Sequence, residues 1–408
     1  MNFSKCFCRC SAVLAAGLVF FSTQADIAAQ EQGNSIVIER EGRRANPTIR
    51  FQGINGDPAL NTQIDSDLRH CGWFDVRKGG NETTDYVLSG SDNGNTLTLS
   101  LSNGAGRKIA DLRITEPDKR KRSAKGVDAV LKKEFSVPGI CSSKVIFSAE
   151  TGPKKREIYM CDFDGGNITR LTRNNSLSVE PVWTRDGRSF VYCYYGNAYT
   201  NLIQYRFDIA KSRPLTRYNG LNAGGTLSYD GKYVALVLSR NNQVDLYVRP
   251  TEGGDLVRLT YDKAAESSPV WTPDNRIIYV SGSTGVPNLY SISPFGDKTS
   301  VRLRNLRGSE RVKPDVEGNN LVYAARVGGS YLITVAEMQN NSFQMKKIGF
   351  GDSPEIVGES PSWAPDGRHV VYCNGGTLYV VDTWLGKTRR LVGGRSKVFQ
   401  PDWSPVLH

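Results

Sequence analysis

A short pattern recurs through the C-terminal two thirds of the chain. Pro181-Val182-Trp183-Thr184-Arg185-Asp186-Gly187 leads into Phe190-Val191-Tyr192, Pro269-Val270-Trp271-Thr272-Pro273-Asp274-Asn275 into Ile277-Ile278-Tyr279, and Pro361-Ser362-Trp363-Ala364-Pro365-Asp366-Gly367 into Val370-Val371-Tyr372. Two weaker copies fill the gaps, Gly225-Thr226-Leu227-Ser228-Tyr229-Asp230-Gly231 and Pro314-Asp315-Val316-Glu317-Gly318. The anchors at 181, 225, 269, 314 and 361 lie 44, 44, 45 and 47 residues apart. A period of this size, filled with short apolar strands, is the size of one β-propeller blade, and with 18 Tyr, 15 Phe and 6 Trp an all-helical bundle is a poor fit.

Each unit continues alike. A second strand carries Ile158-Tyr159, Leu246-Tyr247, Leu289-Tyr290 or Leu378-Tyr379, Gly-rich turns follow, and Leu171-Thr172, Leu215-Thr216, Leu259-Thr260 or Leu391-Val392 closes the unit. The Asp of Asp-Gly bonds turn backbone, and the Gly tolerates positive φ. Trp183, Trp271, Trp363 and Trp403 offer flat faces to pack between twisted sheets. The proline suits the first residue of a strand. Near its end the chain carries Phe399-Gln400-Pro401-Asp402-Trp403-Ser404-Pro405, the front of a sixth unit. The rest of that unit stands at Lys144–Phe147, Ile158-Tyr159 and Leu171-Thr172, so one blade is expected from both ends, leaving no free sheet edge. The reading is a mainly β chain with a six-bladed propeller over 139–408, closed by 399–408.

Residues 30–138 lack the repeat and read as a small α/β domain. Ser35–Ile38 and Thr48–Phe51 are expected strands. Asp57-Pro58 opens a helix through Leu60, Ile64 and Leu68. Asp85–Ser89, Thr96–Leu101 and Lys108–Ile114 read as a meander with Asn-Gly turns, and Gly126–Phe135 as a short amphipathic helix. Residues 1–29 read as a secretory signal: Lys5 and Arg9 precede the apolar run Ala12–Phe21, with cleavage open after Ala25 or Ala29. Cys6, Cys8 and Cys10 would leave with it. Cys71, Cys141, Cys161, Cys193 and Cys373 remain, an odd and widely spaced set that reads as buried small hydrophobes, with one pair such as Cys71 with Cys141 open to an oxidising compartment.

The formal charge is +11. Much of it is local, at Lys119, Arg120, Lys121, Arg122 and Lys125, then Lys154, Lys155 and Arg156, runs expected to be solvated loop. Export makes nucleic acid the least favoured partner for this charge. Three His leave little room for a His-rich metal site. No Gly-x-Ser-x-Gly elbow, His-Glu-x-x-His or P-loop occurs. Asp162-Phe163-Asp164-Gly165 lacks the downstream acids of an EF-hand and reads as a hairpin turn, and His369 reads as structural. No catalytic residue, cofactor or metal is expected.

With these residues in hand the chain resembles the TolB family, periplasmic components of the Tol–Pal system with WD40-like (PD40) repeats. The likeness is strongest in the propeller and at Gln400-Pro-Asp-Trp-Ser-Pro405, and extends to Asp65-Ser-Asp-Leu-Arg-His-Cys-Gly-Trp-Phe74 and to Val137–Phe147. It implies a non-catalytic protein that binds a peptidoglycan-associated lipoprotein of the outer membrane on one propeller face, in loops preceding the Pro-x-Trp strand. The matching positions are Val179, Glu180, Leu221, Gly224, Ser267 and Glu359. It also implies an inner-membrane TolA-like partner for the mature N-terminal segment, and a part in envelope integrity and in constriction during division. Gln30–Gly53 departs from the family pattern. The competing readings are a propeller binding a small molecule or cell-wall fragment in its channel, and an enzyme or its gating domain.

Overall fold

The computed structural model describes residues 38–40, 43–78, 82–196, 199–339, 342–349 and 353–407. The secretory segment, most of the strand expected at 35–38 and the start of the N-terminal segment lie outside them.

The N-terminal domain is a five-stranded sheet in the order Asp75–Arg77, Thr48–Asn55, Tyr86–Asp92, Thr96–Asn103, Lys108–Thr115. Thr48–Asn55 pairs in parallel with both neighbours, and the rest is an antiparallel meander. Helix α1, Pro58–His70, starts where Asp57 accepts hydrogen bonds from the Ala59 and Leu60 amides, with Pro58 in the first turn. Its Leu60, Ile64 and Leu68 are fully buried, and burying each such side chain contributes about 1.5–3 kcal/mol. Helix α2, Lys119–Phe135, lies against the meander strands and packs Val127, Val130 and Leu131 into the same core. Gly126 lets it come close: a Cβ there would stand 2.8 Å from Leu97 Cδ2.

The start of α2 corrects the sequence expectation. The basic run is two turns of helix, not solvated loop. Asp118 caps it by accepting from the Lys121 amide. Arg122 is 1 % exposed and forks onto Asp92, its Nε 2.8 Å and Nη2 3.2 Å from the two carboxylate oxygens. Arg120 is shared among three carboxylates, as described below.

The propeller has six four-stranded sheets. Blade 1 is Val398–Trp403, Lys144–Gly152, Lys155–Asp162 and Thr169–Arg170, and blade 2 runs from Leu177–Trp183 to Lys211–Pro214. Blades 3 to 6 begin with Asn222–Leu227, Glu266–Trp271, Arg311–Glu317 and Glu359–Trp363. A single parallel bridge from Leu177 to Arg156 joins blades 1 and 2 into one sheet. The Pro-x-Trp strand, or its counterpart in the two blades without Trp, is innermost in every blade, and these six strands pack side by side around a central channel. Trp183, Trp271 and Trp363 fill the cores between successive sheets, Trp271 donating Nε1 to the Thr226 carbonyl at 3.1 Å. Leu227 and Val316 hold the equivalent place in the two blades without Trp, and both are buried. In blade 1, Val398–Trp403 runs antiparallel to Lys144–Gly152, and Trp403 Nε1 donates to Ser143 Oγ at 2.7 Å.

The repeated aspartates serve their turns. Asp186 and Asp230 accept from the Arg188 and Lys232 amides, and Asp366 from those of Arg368 and His369. The 162–166 segment is likewise a turn, closed by Asp162 and Gly166.

The N-terminal domain docks on one end of blades 1 and 6. Arg120 reaches Asp67 at 2.6 Å on its own side and Asp164 and Asp162 of blade 1 at 2.7 and 3.2 Å. Trp73 Nε1 donates to Asp366 Oδ2 at 2.9 Å, and that oxygen lies 2.7 Å from His369 Nδ1. His369 is thus part of the joint. A Cβ on Gly72, which sits at φ +73°, would stand 2.4 Å from His369 Nε2. Arg368 lies between the Trp73 and Trp384 rings, 4.8 and 4.6 Å from their centroids, and pairs with Asp382 and Asn46.

Candidate functional site

All six inner strands break register at one place, between Val179 and Val182, Ala223 and Thr226, Ser267 and Val270, Val312 and Asp315, Glu359 and Ser362, and Phe399 and Asp402. Each break is a β-bulge whose central residue is left-handed: Glu180, Gly224, Ser268, Lys313, Ser360 and Gln400 have φ between 50° and 61°. Five of them are not glycine and precede a proline, a place that ordinarily favours extended backbone. A bulge bends its strand and re-aims the side chain. Repeated six times, it builds a ring of bulged residues around the channel.

On the face away from the N-terminal domain these rings open into a funnel of about 690 Å³. Glu180, Leu221, Gly224, Ser267 and Glu359 all line it, together with Arg156, Glu266, Lys313, Phe399 and Gln400. The sequence-derived set is therefore brought together, with two corrections. Apart from Leu221, these residues are not in loops; they lie within the inner strands, at the bulges. Val179 does not line the funnel; its side chain is buried in the core shared with Val191, Leu202 and Leu227, because side chains on a strand alternate and position 179 points between sheets. Lys313, Ser268, Ser360 and Gln400 were missed, although each stands directly before a repeat proline or its equivalent.

Below the funnel the channel narrows to about 100 Å³ around the prolines. Two ion pairs cross it between blades 2 and 5, which face each other in a six-membered ring. Lys313 meets Glu180 near the mouth. At the far end Arg185 donates to Glu317 Oε2 and to the Val316 carbonyl, both at 2.6 Å, and lies over the Tyr229 ring. The positive charge of Lys313 holds the Glu180 carboxyl below the usual range. Between the pairs lie two buried carboxyls, Asp315 accepting from the Trp363 amide at 2.7 Å and Asp402 from the Trp183 amide at 2.6 Å. Burial, with Asp315 adding repulsion, pushes Asp402 up to about 8. In the funnel wall, burial and then Asp262 push Glu266 up to about 8, and its Oε2 has no hydrogen-bond partner. Among the described residues no group of three or more His, Cys, Asp or Glu is arranged to hold a metal ion.

The fold is that of a six-bladed β-propeller carrying an N-terminal α/β domain. The family described as TolB beta propeller domain (PD40) matches residues 133–407, and the chain belongs to it. Relatives bear the name Tol-Pal system protein TolB. That of Anaeromyxobacter dehalogenans (strain 2CP-1) is 32% identical over 170 residues, 41% of this chain and 38% of the relative. That of Helicobacter pylori (strain ATCC 700392 / 26695) is 22% identical over 293 residues, 69% of each. The chain thus spans about two fifths of the length of the first of these. The crystal structure of TolB from Acinetobacter baumannii superposes with a TM-score of 0.78 at 20% identity, covering 89% of this chain and 98% of that one.

Proposed function

We propose that the chain is an exported, non-catalytic protein-binding component of a Tol–Pal-type envelope complex. The funnel takes a peptidoglycan-associated lipoprotein of the outer membrane, and the N-terminal segment engages an inner-membrane TolA-like protein. The assembly would support outer-membrane integrity and constriction during division. The observation that carries this reading is the convergence of Glu180, Leu221, Gly224, Ser267 and Glu359, five widely spaced positions, on one funnel. Strand ends and bulges supply a mixed polar and apolar surface, the composition of an exchangeable interface. A small molecule or cell-wall fragment seated in the channel below the funnel fits less well, because the throat holds about 100 Å³ and the Glu180–Lys313 pair crosses it.

Calorimetric titration with the soluble domain of the same organism's lipoprotein tests this. Saturable one-to-one binding is expected. Charge reversal at Glu180 and Glu359 should weaken it at least tenfold, and reversal at Lys154 and Lys155 should leave it within about twofold. Absence of binding by the folded chain, or equal effects of the two reversals, would refute the assignment of this face.

A further inference from the structure

Three buried cysteines lie in the core that joins the N-terminal domain to the propeller. Cys71 caps the C-terminus of α1, and its Sγ donates to the Leu68 carbonyl at 3.1 Å. Cys141 lies in the turn before blade 1, and its Sγ approaches the Asp67 carbonyl at 3.9 Å. The two thiols thus sit over adjacent carbonyls of the last turn of α1. Burial, and then the neighbouring Cys71 thiol, raise Cys141 well above the ordinary thiol range. Cys161, on blade 1, is also buried, and burial pushes it up to about 12. Arg389 of blade 6 lies within electrostatic reach of all three, and its buried Nη1 has no hydrogen-bond partner. The backbone around both cysteines is already held. The Cys71 amide donates to the Asp67 carbonyl at 2.8 Å, and the Cys141 and Ser142 amides donate to the Asp128 carboxylate at 2.8 and 2.9 Å.

We propose that Cys71 and Cys141 form a disulfide that ties the end of α1 to the interdomain turn, with Cys161 left as a buried thiol. The bond would fix the segment Cys71–Trp73, which carries the Gly72 and Trp73 contacts to His369 and Asp366. Its formation removes two protons and two electrons from the thiols. A small or protein disulfide accepts them: one cysteine thiolate attacks it and expels one thiolate, then the second cysteine attacks the mixed disulfide and expels the other. Because both sulfurs are buried in the folded chain, the exchange precedes docking of the domain onto the propeller. Burial then favours the uncharged bond over any thiolate and shields it from reductant. The proposal rests on the export reading only for its oxidant in the cell.

The test is made on the purified chain, unfolded with reductant and refolded in a mixture of reduced and oxidised glutathione, then alkylated under denaturing conditions and mapped as peptides. The expected result is a peptide of Cys71 linked to Cys141, with Cys161, Cys193 and Cys373 alkylated. Reductant added during thermal unfolding should lower the midpoint by roughly 5–15 °C, since the bond closes a long loop. The C71S/C141S double variant, where it folds, should melt at the reduced midpoint and ignore reductant. Cys71 and Cys141 recovered as free thiols, or linked to any other cysteine, would overturn the proposal, whatever the variant does. The map is independent of lipoprotein binding, so failure of either reading leaves the other standing.

Discussion

Charge is buried and paired where the α/β domain meets blades 1 and 6, and left partly exposed where the opposite face opens into the funnel. At the joint, Arg368 and Asp382 are 2 and 7 % exposed, and two indole rings enclose the guanidinium. Asp366 takes hydrogen bonds from Trp73 and from its own turn, and Arg120 meets three carboxylates. At the funnel, Lys313 and Glu180 are 35 and 27 % exposed, whereas Glu266 is buried in the wall with its Oε2 unpartnered. A buried pair loses much when one member is removed, whereas an exposed pair loses little. The first arrangement suits a permanent joint and the second a surface that exchanges one partner for another.

The comparison breaks most visibly at Arg368. R368A leaves the buried Asp382 without its guanidinium, held only by the Trp384 and Leu385 amides and the nearby His369, and should cost about 3–5 kcal/mol in chemical denaturation. A cost below about 1 kcal/mol would mean that the joint is not held as described.

One carboxyl in each region, Asp366 at the joint and Asp402 in the channel, should answer pH in opposite directions. Burial opposes ionisation of Asp366, but the His369 charge and hydrogen bonds prevail and hold its pKa down to about 2, against 3.8 ordinarily. Its contribution is present above about pH 4 and is lost as pH falls through 2, an acid limb of about 2 kcal/mol that D366N should remove. Asp402 is raised to about 8. Its protonated form is favoured in the fold, so stability is full below about pH 4 and declines as pH rises through 8. D402N should make that decline shallower in denaturant midpoints taken between pH 4 and 8; Asp67 and Glu266, also raised, would keep part of it. A slope unchanged by D402N would show that the channel carboxyls are not coupled to folding.

The smallest effect is expected at the funnel itself. E180A with K313A should change stability by less than about 1 kcal/mol, read by thermal and denaturant unfolding. A larger loss would make the pair part of the scaffold.

The fold class was legible because the Pro-x-Trp strand, the Asp-Gly turn and their spacing repeat often enough to survive two blades without Trp. The start of α2 was not. Lys119 to Lys125 place positive charge in the first turns, against the helix dipole, and beyond the local Glu116 and Asp118 what offsets this is distant in sequence: Asp57, Asp92, and Asp162 with Asp164. At the candidate site the neighbourhood of each repeat proline was legible, but the bulge was not. A residue before proline is ordinarily extended, and only the ring of packed inner strands explains why Glu180, Ser268, Lys313, Ser360 and Gln400 are left-handed. Nor could spacing alone show that Lys313 meets Glu180, since that contact exists only once the ring places blades 2 and 5 opposite each other.

Hydrogen–deuterium exchange of the chain with and without the soluble lipoprotein domain tests the division between the two ends most directly. Slowed exchange at 221–224, 266–268 and 357–360, with none at 71–74 and 366–384, is the predicted outcome. Protection confined to the domain joint or to the outer strands of the blades would contradict it.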